Sequence, residues 1–162
     1  MAACVYILCG IPFSGKSTLA RALAARRGWT HVEVDALVEA LMASPDDEVT
    51  EEQWAEAFAS AQEQITASLA RGQSVVHDAT NWGRDVRDHV RALASQSGAS
   101  SRVIYLPVSP AEAARRRAEN EARPERHQVS ESDFLEVVGS MEPPGMDETV
   151  LVYDGTLDLE DW

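Results

Sequence analysis

Nine residues near the amino terminus, GIPFSGKST at positions 10–18, constrain this chain more than any other stretch. Glycines at 10 and 15 let the backbone turn tightly enough for successive N–H groups to face one anion. The apolar run AACVYILC (2–9) ends directly before the turn, and a helical pattern with Leu19 and Leu23 on one side begins at Lys16. A strand that feeds a glycine turn and then a helix presents the helix's positive end to the same anion. The spacing fits G-x-x-x-x-G-K-[ST], in which the lysine meets β- and γ-phosphates and the next hydroxyl holds Mg²⁺. ATP and Mg²⁺ are therefore the expected cofactors. Gly10, Pro12, Ser14, Gly15, Lys16, Ser17 and Thr18 are the expected binding turn, with Ser17 on the metal. Lys16 is also the chain's single lysine, against thirteen arginines. A compact ammonium enters a phosphate cradle where a planar guanidinium fits poorly.

The rest of the chain alternates in a way that suits this turn. Strand-like runs recur at 30–35, 73–78, 101–108 and 149–154, with helical patterns between them. The longest helix spans Thr50 to Arg71, opens with a Thr50/Gln53 capping box and carries Trp54, Phe58, Ala61, Ile65 and Leu69 on its expected buried stripe. Further helices are expected over 83–97, from Ser109–Pro110 and from Ser130. Such alternation implies an α/β, three-layer αβα domain over residues 1–162, with a parallel sheet of about five strands and ligands at the strands' carboxyl ends.

Composition narrows the partners. A net charge of −13 and 27 acidic residues repel polyanions at long range, which disfavours broad nucleic-acid or anionic-membrane binding. The acidic stretch PDDEVTEE (45–52) reads as a solvated face. No apolar run reaches membrane-spanning length and MAACVYILCG has no charged n-region, so a soluble cytoplasmic protein is expected. Cys4 and Cys9 lie about 16 Å apart on one extended strand, too far to bridge, and are expected to be reduced core residues. The four histidines show no metal-ligand spacing.

A phosphate cradle alone does not choose among transfer, hydrolysis and binding. A guanine-reading Asn-Lys-x-Asp motif needs a second lysine, and the third strand candidate ends VVHDAT rather than in the Asp-Glu of hydrolytic motors. Asp35 and Asp78 stand instead at the ends of the second and third strand candidates. There one carboxylate can accept a proton from an attacking hydroxyl while the other supports Mg²⁺ or the acceptor. Arg116, Arg123 and Arg126 follow the fourth strand, in a segment (about 111–140) able to close over the γ-phosphate and exclude water. Neighbouring Arg115 and Arg117 match Glu119 and Glu121 at helical spacing, which sets them apart as surface pairs.

Taken together, GIPFSGKST, Asp35, VVHDATNWGRDVRDHVRALA (75–94), VSPAEAARRRAENEARPERHQVS (108–130) and MEPP (141–144) resemble the P-loop kinases related to the kinase domain of phage polynucleotide kinase. Chloramphenicol phosphotransferase and the zeta toxins are more distant relatives in this likeness. The resemblance implies that Asp35 activates the acceptor hydroxyl, that Asp78 and Thr80 form the family's Asp-x-Thr, and that Arg116, Arg123 and Arg126 clasp the triphosphate. It places acceptor contacts on Thr80, Asn81, Arg84 and Arg87. Polynucleotide kinases carry an arginine three residues after the base, and Val38 stands there in this chain. A small hydroxylated, nucleoside-like acceptor is thus favoured over a nucleic acid 5′-hydroxyl end. A partner-coupled ATPase and a non-catalytic nucleotide binder remain the competing classes, and the oligomeric state is left open.

Overall fold

A computed structural model describes residues 2–44, 47–124 and 129–156. Five strands form one parallel sheet: β1 (Cys4–Cys9), β2 (Thr30–Glu33), β3 (Val75–Asp78), β4 (Ser100–Tyr105) and β5 (Val150–Val152). Their order is β2-β3-β1-β4-β5. The chain leaves β1 towards β2 and β3 on one side and later returns to β4 on the other, so the order reverses at β1. In open α/β sheets this is where ligands settle, beyond the strands' carboxyl ends. Among the described residues six helices cover the sheet and its end: α1 (Lys16–Arg27), α2 (Val34–Glu39), α3 (Glu51–Ala70), α4 (Arg84–Gln96), α5 (Pro110–Ala122) and α6 (Glu131–Ser140). The architecture is the three-layer α/β class expected.

Strand alternation sorts side chains to two faces. Val5, Ile7, Val32, Val75 and Val103 turn to the core shared with Ala57, Ala61, Ile65 and Val90 of α3 and α4. On the opposite face Leu8, Val76 and Ile104 meet Leu19, Ala20 and Leu23 of α1, and Tyr6 stacks on Trp29 with ring centroids 4.2 Å apart. Each such buried aliphatic side chain contributes about 1.5–3 kcal/mol against exposure. A third cluster lies off the sheet: Ile11 and Phe13 of the glycine turn pack on Ala113 of α5 and Phe134 of α6.

Two local expectations are corrected. The second strand stops at Glu33 and α2 begins at Val34, so Asp35 sits in a helix's first turn, not at a strand end. Burial of Val34 and Val38 on α2's inner side explains the early start. On α3 the Thr50/Gln53 capping box forms, but the buried stripe runs through Ala57, Ala61, Ile65, Ser68 and Leu69. Trp54 and Phe58 are 38% and 39% exposed and stack on each other with centroids 6.0 Å apart. Cys4 and Cys9 are buried and unbridged, and burial pushes the Cys9 thiol up to about 11.

Candidate active site

The glycine turn is held by its own backbone and by the sheet. Gly15 caps α1 at φ +97°, in the left-handed region that a side chain adopts only under strain. At Gly10 an added Cβ would stand 2.8 Å from Ser14 Oγ and 3.1 Å from the Leu106 carbonyl, so the two glycines are required for different reasons. Lys16 Nζ donates to the carbonyls of Gly10 and Ile11 at 2.8 and 2.9 Å. This folds the ammonium back over the turn. Among the described residues no side chain caps the start of α1 and its first turn carries no acid, and a helix start of this kind favours an anion.

Beside the turn lies a cavity of about 720 Å³, within the range of small-molecule sites. Pro12, Gly15, Lys16 and Ser17 form part of its wall, and Asp35, Asp78 and Thr80 another part. The structure therefore brings together the turn, both predicted carboxylates and the threonine. Asp35 is exposed, whereas Asp78 is only 3% exposed. The buried carboxylate is held by His31, whose Nε2 lies 3.0 Å from Asp78 Oδ2. Glu33 pairs in register with Asp78 across β2 and β3. Ligand atoms of His31, Glu33 and Asp78 lie within 4.8 Å of one another, a grouping that sequence spacing does not reveal because it is made across two strands. Burial, aided by the Asp78 carboxylate, pushes the Glu33 carboxyl up from its ordinary value. Ser17 and Asp78 offer the hard oxygen donors that suit Mg²⁺.

Several predicted contacts are placed elsewhere. Asn81, 2% exposed with φ +48°, donates to the Leu8 carbonyl at 2.6 Å and to the Ala79 carbonyl, so it fastens the β3 exit to β1. Arg87 is fully buried and bidentate to Glu148 at 2.8 and 3.0 Å, and it also donates to the carbonyls of Asn81 and Glu142. Arg84 bonds to Asp88 and bidentately to Asp147. These three expected acceptor contacts are not among the residues of the cavity wall: Asn81 ties β3 to β1, and the two arginines staple residues 142–148 to α4. Arg116 bonds to Glu112 at 2.7 Å and to the Phe13 carbonyl at 3.1 Å, which ties α5 to the outside of the turn. Arg123 is exposed at the end of α5, off the cavity wall, and Arg126 lies outside the described residues. Arg115 and Arg117 make the pairs that their spacing implies, with Glu119 and Glu121.

Other wall residues escape a reading of the sequence. Asp47 and Glu48, expected on a solvated acidic face, line the cavity with Trp54, Asp133 and Val137. The Ser130 cap, which accepts from Asp133 N at 3.1 Å, sets the direction of α6 and places Asp133 in its first turn.

The family described as an AAA domain, AAA_33, matches residues 5–144. The chain belongs to this family. Among curated proteins, it is 34% identical over 119 residues to a shikimate kinase of Thermobifida fusca, an alignment covering 73% of this chain and 66% of that protein. The chain thus spans just under two thirds of that relative. The crystal structure of a gluconokinase from Sinorhizobium meliloti superposes with a TM-score of 0.67 at 21% identity, over 99% of this chain and 86% of that one. A chain of the Pnkp1/Rnl/Hen1 RNA repair complex superposes with a TM-score of 0.74 at 19% identity, over 86% of this chain and 44% of that one. At these identities the structural likenesses speak to fold: a P-loop α/β domain whose neighbours include kinases.

Proposed function

We propose that the AAA_33-family protein is an ATP-dependent phosphotransferase that moves the γ-phosphate of ATP to a hydroxyl of a small molecule. The observation that carries this reading is the meeting of Lys16, Ser17, Asp35 and Asp78 on one cavity wall. Lys16 and the amides of the turn hold the phosphates, while Ser17 and Asp78 would hold Mg²⁺. The metal, when bound, offsets charge on the β- and γ-phosphate oxygens. Asp35 takes the proton of the acceptor hydroxyl as its oxygen bonds to the γ-phosphorus. The bond from that phosphorus to the β–γ bridging oxygen breaks, and ADP leaves. His31 keeps the buried Asp78 oriented. The kinase name of the 34% identical relative supports the same activity class and a small acceptor.

Kinship to the phage polynucleotide kinase domain, and a polynucleotide 5′ end as acceptor, gain no further support. Val38 lines the cavity where that family carries an arginine, and acidic side chains share the wall with it. The test is acceptor-dependent turnover. Mg-ATP with a panel of hydroxyl compounds should yield ADP and a phosphorylated product, with little ADP in the panel's absence. ADP release driven only by a macromolecule would favour a coupled ATPase, and binding without turnover a nucleotide-binding module.

A further inference from the structure

We infer that the acceptor is a hydroxyl compound that also carries an ammonium group, such as an amino sugar, aminocyclitol or amino alcohol, rather than one carrying a carboxylate or phosphate. This rests on the phosphotransferase reading above and adds the substrate's charge to it.

The cavity wall is electrically one-sided. The turn after β1 contributes Lys16, which is the only lysine or arginine on the wall among the described residues, and its ammonium is drawn onto the Gly10 and Ile11 carbonyls. Away from that turn, the segment before α3 contributes Asp47 and Glu48, and α6 contributes Asp133; Asp35 stands on α2. Among the described residues an anionic acceptor finds no guanidinium there. The arginines that the resemblance places at the acceptor, Arg84 and Arg87, are bound to Asp147 and Glu148. Among the described residues, the charged groups of the wall away from the turn are carboxylates, and like charges in a partly enclosed site are poorly screened.

The same wall suits a cation for a second reason. Trp54 lines the cavity at 38% exposure and is braced by its stack on Phe58, so it offers an aromatic surface held in place. A ring face attracts an ammonium lying within about 6 Å. Val38, Met42 and Val49 add apolar surface for the carbon skeleton. The acceptor that fits has a hydroxyl for Asp35, a compact apolar body and a positive charge.

Matched sets of amino, neutral and carboxylated sugars, cyclitols and short alcohols, with saturating Mg-ATP, supply the probe. Phosphorylated product is identified by mass and ADP release is followed over time. At least one amino compound should be phosphorylated with kcat/KM at least about tenfold above its neutral counterpart, and that advantage should shrink with added salt. The double variant Glu48→Gln/Asp133→Asn should raise KM about tenfold for the amino compound and not for the neutral one. Preference for a carboxylated compound, an equal KM rise for amino and neutral members, or failure of every amino compound on a protein that binds Mg-ATP would overturn the inference. Failure to bind Mg-ATP in calorimetry would instead overturn the phosphotransferase reading beneath it.

Discussion

The turn after β1 and the outer end of α4 both concentrate charged and polar side chains, and they use them in opposite ways. Along α4, cations meet partners within the chain: Arg87 takes both oxygens of Glu148, and Arg84 takes those of Asp147. Around the turn, Lys16, Asp35 and Asp78 come from three separate elements and line one cavity. Charges satisfied internally hold a structure together, whereas charges aimed at a shared space can act on something that enters it. The same residue types thus build a staple in one region and the wall of a cavity in the other.

Lys16 is where this contrast should break most visibly. Lys16→Ala should lower phosphoryl transfer by about 10²–10³-fold, judged from the loss when a preorganised charge-stabilising donor is removed, and should lower the thermal midpoint less than loss of the buried Arg87 does. Steady-state ADP release and a melting curve on the same sample check both halves. Asp35→Asn should reduce turnover by about 10²–10⁴-fold, the range of general base catalysis, while Mg-ATP affinity stays near that of the parent. A single-turnover assay with any stimulating acceptor separates the two.

Arg87→Met should act on the other side of the comparison. Leaving Glu148 buried without its partner should destabilise the fold by about 3–5 kcal/mol, and Arg87→Met/Glu148→Met should recover most of that loss. Urea unfolding of the two variants and the parent measures it. Acid should expose the same staple, because hydrogen bonds from Arg87 hold the Glu148 carboxyl below its ordinary value despite its burial. A depressed folded value means that this contribution is present above the usual carboxylate range and is lost as pH falls through the folded one. His77 adds a separate limb. Burial lowers it to about 4, so the unfolded chain takes up a proton below about 6.5 that the fold refuses. Stability should fall from about pH 6.5 to about 4 on this ground, and His77→Leu should flatten that limb. The smallest effect belongs to Arg84→Ala, whose exposed pairs should shift the thermal midpoint by an amount close to measurement error.

How much of the molecule is legible in its sequence follows from how local each feature is. The glycine turn occupies nine consecutive residues flanked by a strand and a helix, so its pattern is legible without anything from farther along the chain. Alternating strands and helices give the sheet class for a similar reason. Asp35 and Asp78 stand out because both end strand patterns, although the pattern running to Asp35 gives way to α2 already at Val34. The burial of Arg87 is not legible in the sequence because its partner Glu148 is 61 residues away. Trp54 looks like core because three-and-four spacing fits it and Ala57 almost alike; the packed structure selects the alanine side. Asp47 and Glu48 reach the cavity through a loop path that no periodicity encodes.

The proposed function requires the turn ending at Ser17 to grip a magnesium nucleotide beside Asp35. Isothermal titration of Mg-ATP into the parent protein and Lys16→Ala tests it most directly. Saturable one-site binding by the parent is expected, weakened at least about 100-fold in the variant, a loss of roughly 2.7 kcal/mol. Identical isotherms for the two proteins, or no heat from the parent at any concentration, would contradict it.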